Sequence, residues 1–132
     1  MNALRNLLPI VVLAAGAVAP GANAADAIVT PLLTRSLPEF PGKEAQMIRV
    51  DYPPGAVDPV HRHHAHALVY VLEGSIVMQV KGGQEVTLTP GQTYYEAPGD
   101  LHVVGRNASK TEPAAFIVVL LKDQGAPVLT VE

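Results

Sequence analysis

Turn-forming residues cut this chain into short pieces, and that limits the fold more than any other feature. Pro53-Pro54-Gly55, Gly74, Gly82-Gly83, Pro90-Gly91 and Pro98-Gly99 recur at short intervals. Between them lie runs rich in Val, Ile, Thr and Tyr, of strand length and with no helical period. The spacing predicts strands at 46–52, 67–72, 75–80, 85–88, 92–96, 102–106 and 115–121. The expected fold class is therefore all-β, a sandwich or barrel. Gly82-Gly83 reads as a tight hairpin turn. The run Leu68-Val69-Tyr70-Val71-Leu72 is continuously apolar, which predicts a strand buried on both faces. Pro31, Pro38 and Pro41 limit residues 25–42 to an arm, either an edge strand or irregular chain, ahead of a barrel domain at 43–132.

Residues 1–24 read as a leader. Arg5 precedes an apolar run, and Ala22-Asn23-Ala24 is a small-x-small cleavage site. That order is a secretory signal peptide, cut after Ala24. The run is short for a membrane span. The expected location is the periplasm or the exterior, with no membrane attachment after cleavage. Of the nine basic side chains only Arg5 would be removed, leaving eight against twelve acidic ones, a net charge of −4. No basic stripe exists, which argues against nucleic acid as a partner. There are no cysteines, so a metal site would have to use His, Asp or Glu.

Four of the five histidines fall in one stretch, His61-Arg62-His63-His64-Ala65-His66, and the fifth is His102. On a strand, residues two apart point to the same side. His61 and His63 thus make a pair, and His102 could close one face of a coordination sphere from a second strand. His66 has the opposite parity and would need a bulge to turn inward. Glu96 stands just before the turn leading to His102. Either of these two is a candidate fourth ligand. Parity with His63 puts Val69 and Val71 in the lining. Tyr95 and Arg106 are weaker candidates for contact with a substrate, Arg106 through a bidentate pair with a carboxylate. His64 and Glu73 read as surface residues.

Residues 52–107 resemble the two motifs of the cupin superfamily. Gly55, His61, His63 and Gly74 fit the first, and Gly91, Gly99 and His102 fit the second. The resemblance implies a double-stranded β-helix, or jelly-roll, barrel with one divalent metal in its mouth. Three positions depart from the pattern. The family Glu, usually a ligand, falls on Ala67. The family Pro falls on Ala97, with Pro98 one place later. The family Asn falls on Arg106, with Asn107 one place later. Without the Glu, the expected set is three neutral imidazoles from His61, His63 and His102. Such a set suits Fe, Mn, Cu, Ni or Zn. The resemblance further implies dioxygenase-like chemistry on a small organic molecule, and is compatible with a homodimer. The alternative is a cupin module that binds metal or a small ligand without turnover.

Overall fold

The computed structural model describes residues 25–132, so the expected leader at 1–24 lies outside the described residues. The elements are β1 (Ile28–Ser36), β2 (Lys43–Tyr52), β3 (His61–Arg62), β4 (Ala65–Glu73), β5 (Ile76–Val80), β6 (Val86–Leu88), β7 (Thr93–Glu96), β8 (Leu101–Asn107), β9 (Ala114–Asp123) and β10 (Thr130–Val131). No helix occurs among the described residues. Two five-stranded sheets form, ordered β1-β2-β9-β4-β7 and β10-β3-β8-β5-β6. Every strand pairing is antiparallel. All seven predicted strands are present, and the all-β class holds.

The core follows from alternation. In β4, Ala65, Ala67, Val69 and Val71 are buried while His66, Leu68, Tyr70 and Leu72 are exposed. Ile48 and Val50 of β2, Ile76 and Met78 of β5, and Phe116, Val118 and Leu120 of β9 join them in one cluster. Tyr52 packs edge-on against Phe116, ring centroids 5.0 Å apart, the arrangement that aromatic quadrupoles favour.

This corrects the reading of 68–72 as buried on both sides. Leu68 and Tyr70 keep 45% and 48% of their surface exposed. The continuous apolar run arises because the outward face of this sheet is itself apolar. Register places Leu33, Met47, Val119, Leu68 and Tyr95 in one row across all five strands of the sheet. The arm is more regular than its prolines suggest. It pairs with β2 as an edge strand through 28–36, with a register shift between Pro31 and Leu33. Gly82, at φ 86°, does occupy a tight turn, in which the Gly83 amide donates to the Val80 carbonyl. The ladder itself ends at Met78 and Val86, so the connection is wider than a two-residue hairpin.

Gly74 ends β4 where no side chain fits. Its φ is +66°, and an added Cβ would lie 2.3 Å from the Pro113 carbonyl oxygen and 2.8 Å from the Ala114 Cα. Gly82 also has positive φ but faces open space. Gly82→Ala should then cost about 1–2 kcal/mol, the left-handed penalty alone. Gly74→Ala should cost roughly 3 kcal/mol or more, because overpacking against backbone adds to it. Urea unfolding of both variants measures the difference, and equal losses would show that the Pro113–Ala114 approach is not limiting.

Candidate metal centre

Strand register assembles the site. His61 pairs directly with His102 across the β3–β8 ladder. His63 follows two residues later, where the chain leaves one sheet for the other. Glu96, the last residue of β7, pairs directly with Ala67 of β4. All four side chains point into the space between the sheets, and all four are buried. One nitrogen or oxygen from each lies within 4.8 Å of the other three. His61 Nε2 is 3.2 Å from His63 Nε2 and 3.2 Å from His102 Nδ1. The Glu96 Oε2 atom is 3.4 Å from His102 Nδ1 and 3.9 Å from His63 Nε2.

The outer ring nitrogens decide what the inner ones carry. His61 Nδ1 donates to the Pro59 carbonyl at 2.8 Å, and His63 Nδ1 donates to the Val128 carbonyl at 2.5 Å. A carbonyl only accepts, so each Nδ1 bears the proton. In the neutral rings, both Nε2 atoms then present lone pairs to each other. Burial also disfavours charging the His63 and His102 rings. It lowers the His63 imidazole below its usual range, against the pull of the Val128 carbonyl. Burial first, then His61, pushes His102 down to about 4. The Glu96 carboxyl rises to about 7, chiefly through desolvation, with Asp100 and Asp58 adding to it. Glu96 Oε2 and His102 Nε2 are buried without a hydrogen-bond partner. Converging lone pairs and an unpartnered buried carboxylate oxygen are the arrangement that a cation satisfies. Three imidazoles and one carboxylate suit a divalent transition metal.

The cavity that holds these atoms is small, about 60 Å³. Val69, Val118 and Phe116 line it from the first sheet, and Met78 from the second. Tyr52 and Asp58 also line it and were not singled out in the sequence. The Tyr52 hydroxyl donates to Asp58 in a very short hydrogen bond. Burial pushes both groups up, and for Asp58 it outweighs the lowering effect of that bond. The only hint in the sequence was a carboxylate three residues ahead of His61. Gly105 leaves room for this packing, since a Cβ there would lie 3.0 Å from Asp58 and 3.1 Å from the His102 ring.

The other predicted site residues stay outside. His66 is on the outer face and hydrogen-bonds the Tyr95 hydroxyl at 2.7 Å. No bulge turns it inward, so between the two candidate positions only Glu96 reaches the cluster. Tyr95 is 51% exposed, because parity in β7 sends Glu96 inward and Tyr95 outward. Arg106 also faces away, 3.8 Å from Glu85. Four residues apart on a regular strand, Arg106 and His102 would share a face, but one extra residue, Val103, breaks that parity. Val80 pairs with His102 but Gln79 pairs with Val104. That bulge flips the strand and turns Gly105 and Asn107 inward instead. The same insertion displaces the motif Asn by one. Asn107 is buried, and its amide donates to the carbonyls of Tyr52, Pro53 and Glu112. Pro98 is likewise accommodated. It stands at the second position of a turn closed by Asp100 N and Ala97 O, with Gly99 third at φ 79°, the residues a type II turn requires.

Comparison with known proteins agrees with this picture. Germin-like protein 1 of Brassica napus is 32% identical over 112 residues, which are 81% of this chain and 54% of that protein. The chain thus spans about half the length of that relative. A structure of oxalate oxidase in complex with the substrate analogue glycolate superposes with a TM-score of 0.61 at 26% identity, covering 79% of this chain and 54% of that one. An uncharacterized conserved protein with a double-stranded β-helix domain from Klebsiella pneumoniae superposes with a TM-score of 0.64 at 19% identity, covering 83% and 89%. Residues 48–120 match the family model for the cupin domain, and the chain belongs to the cupin family.

Proposed function

We propose that this cupin holds one divalent transition metal on His61, His63, His102 and Glu96 and uses it on a small organic molecule, as a dioxygenase-like oxidoreductase. The observation that carries the reading is the 3.2 Å approach of the His61 and His63 Nε2 atoms, whose rings have both committed their protons elsewhere. A cation between them replaces repulsion with coordination. Glu96 supplies the negative charge that Ala67 cannot, leaving a divalent ion with a net charge of one on the site rather than two. The bound metal would contribute Lewis acidity and redox chemistry. The chain contributes three donors with fixed ring orientation, a carboxylate, and an apolar wall that excludes water. A small substrate suits the cavity, and the likeness to an oxalate oxidase that holds glycolate supports a small molecule with oxygen donors. Export, expected from residues 1–24, belongs to the same proposal.

The small cavity favours one other reading, a protein that keeps metal or a small ligand without turnover. An oxygen electrode separates the two. Protein loaded with Fe(II) or Mn(II) is offered oxalate, diketones and thiol acids in turn. Oxygen uptake that disappears in His102→Ala supports the enzyme. Stoichiometric metal with no uptake from any of these supports the binding module.

The Glu96–Ala67 pairing predicts a rescue. Cross-strand partners hold their Cβ atoms about 5 Å apart, so a carboxylate on either strand can reach the cluster. Glu96→Ala should weaken metal binding at least tenfold, or about 1.4 kcal/mol. Adding Ala67→Glu to that variant should recover most of the loss. Calorimetric titration of both variants tests this, and unchanged affinity in Glu96→Ala would remove Glu96 from the ligand set.

Affinity should also depend on pH with a defined sign. Glu96 holds its proton below about 7, and metal must displace it. His102, at about 4, does not compete in that range. Affinity should therefore climb from pH 5 to 7 and level off above. Glu96→Gln should flatten part of that climb. A wild-type curve flat from pH 5 to 7 would contradict the assignment.

A further inference from the structure

His61 and His63 are oriented by different parts of the chain. His61 leans on Pro59, two residues away. His63 leans on Val128, sixty-five residues away. Val128 belongs to the segment 126–131 that follows β9, and Val128 and Leu129 line the cavity. Both are only half-buried, so they stand between the donors and solvent.

That segment is fixed at its base and lightly held at its far end. At the base, the Ala126 carbonyl accepts from Lys122 Nζ at 2.6 Å, and Lys122 is buried against Glu44. At the far end, β10 contributes two paired residues to the edge of its sheet, opposite His61 and Arg62. Around that ladder, Arg62 donates to Glu132 at 2.6 Å and to the Gly99 carbonyl at 2.6 Å, the Glu132 amide donates to the Val60 carbonyl at 3.1 Å, and the Thr130 hydroxyl lies 3.4 Å from His64 Nε2. The Arg62–Glu132 pair has side chains 35% and 45% exposed. Exposed pairs of this kind contribute little, and a two-residue edge ladder opens readily. A cavity of about 60 Å³ admits a few water-sized groups, so a larger molecule needs part of the wall to move.

We propose that the 126–131 segment is a strap that closes the cavity and orients His63, so that admitting a molecule and loosening His63 are one event. Lifting the strap removes the acceptor from His63 Nδ1 and leaves the ring free to rotate or change tautomer. His61 loses its backbone pairing with Val131, but its ring keeps the Pro59 carbonyl as acceptor. The strap's two functions are therefore linked through one carbonyl. The role of His63 as a donor rests on the metal reading above, but the coupling of strap to ring does not require metal.

The test uses two variants and the His61 ring as an internal control. One variant ends at Ala126. The other is Arg62→Gln in the full chain, which weakens the latch and leaves the backbone intact. Proton–nitrogen NMR of metal-free protein reads the tautomer and the solvent exchange of each Nδ1–H. In the parent chain both protons should be protected. In the shortened chain the His63 proton should exchange at least tenfold faster while the His61 proton stays protected, and Arg62→Gln should show a smaller shift in the same direction. Zn(II) titration then reports whether the loosened ring costs affinity, with a loss of about 10–100-fold expected for removal of a partner of a ligand. Equal protection of His63 with and without the strap would overturn the proposal. Parallel loss at both rings would also overturn it, since it would report general unfolding rather than a specific coupling. Failure of the parent chain to bind Zn(II) would sink the metal reading and leave the exchange result standing.

Discussion

Everything in this structure depends on keeping four polar groups between two apolar sheets. A buried polar atom without a partner costs about 1–3 kcal/mol, and Glu96 Oε2 and His102 Nε2 are both in that position. Such groups stay inside only where the backbone gives them no alternative. Here the constraint is register. His61 is tied opposite His102, and Glu96 opposite Ala67. A slip of one residue in either ladder would send a donor outward and an apolar neighbour inward. The long ladders of β4 and β2 with β9 guard against that slip. They bury Ile48, Val69, Phe116, Val118 and Leu120, at roughly 1.5–3 kcal/mol for each large apolar side chain fully buried.

The parts of the site carried by local parity were legible in the sequence. His61 and His63 needed only the two-residue period of a strand, and Val69 followed from the same rule, whereas Val71 is buried in the core and is not among the cavity-lining residues. His102 needed the Pro98-Gly99 turn, whose residue preferences fix the geometry just upstream. Legibility ended where tertiary pairing took over. Arg106 shares formal parity with His102, but Val103 is an extra residue whose presence shows only against the partner strand. Tyr95 and Glu96 are neighbours, and nothing local says which faces in. The Glu96 register against β4 says so. Leu68 to Leu72 misled for a related reason. Apolar composition reports that a side chain is not facing bulk charge, and it does not tell a core from an apolar outer face. Tyr52 and Asp58 were invisible because their meeting depends on the loop through Pro53 and Gly55, which periodicity does not describe.

The pairing of Glu96 with Ala67 shows how a sheet can bring a carboxylate to one place from either of two strands. A ligand is a position in space, and two directly opposed residues on paired strands offer nearly the same position. With Ala67 on β4 and Glu96 on β7, one carboxylate still stands beside the three imidazoles. The position on β7 sets the electrostatics. Burial first, then Asp100 and Asp58, raise the Glu96 carboxyl to about 7, so a cation at the cluster would favour its ionised form.

The same logic separates the two histidines of the first motif. A ring anchored within its own loop, as His61 is by Pro59, moves only if that loop moves. A ring anchored by a distant, lightly held segment inherits that segment's equilibrium. Since His63 and the cavity wall share Val128, stability at this site cannot be raised by tightening the strap without also restricting entry. A closed, well-oriented donor set and an accessible one are alternative states of one short stretch of chain. The weak Arg62–Glu132 latch fits a balance between them better than a rigid wall would.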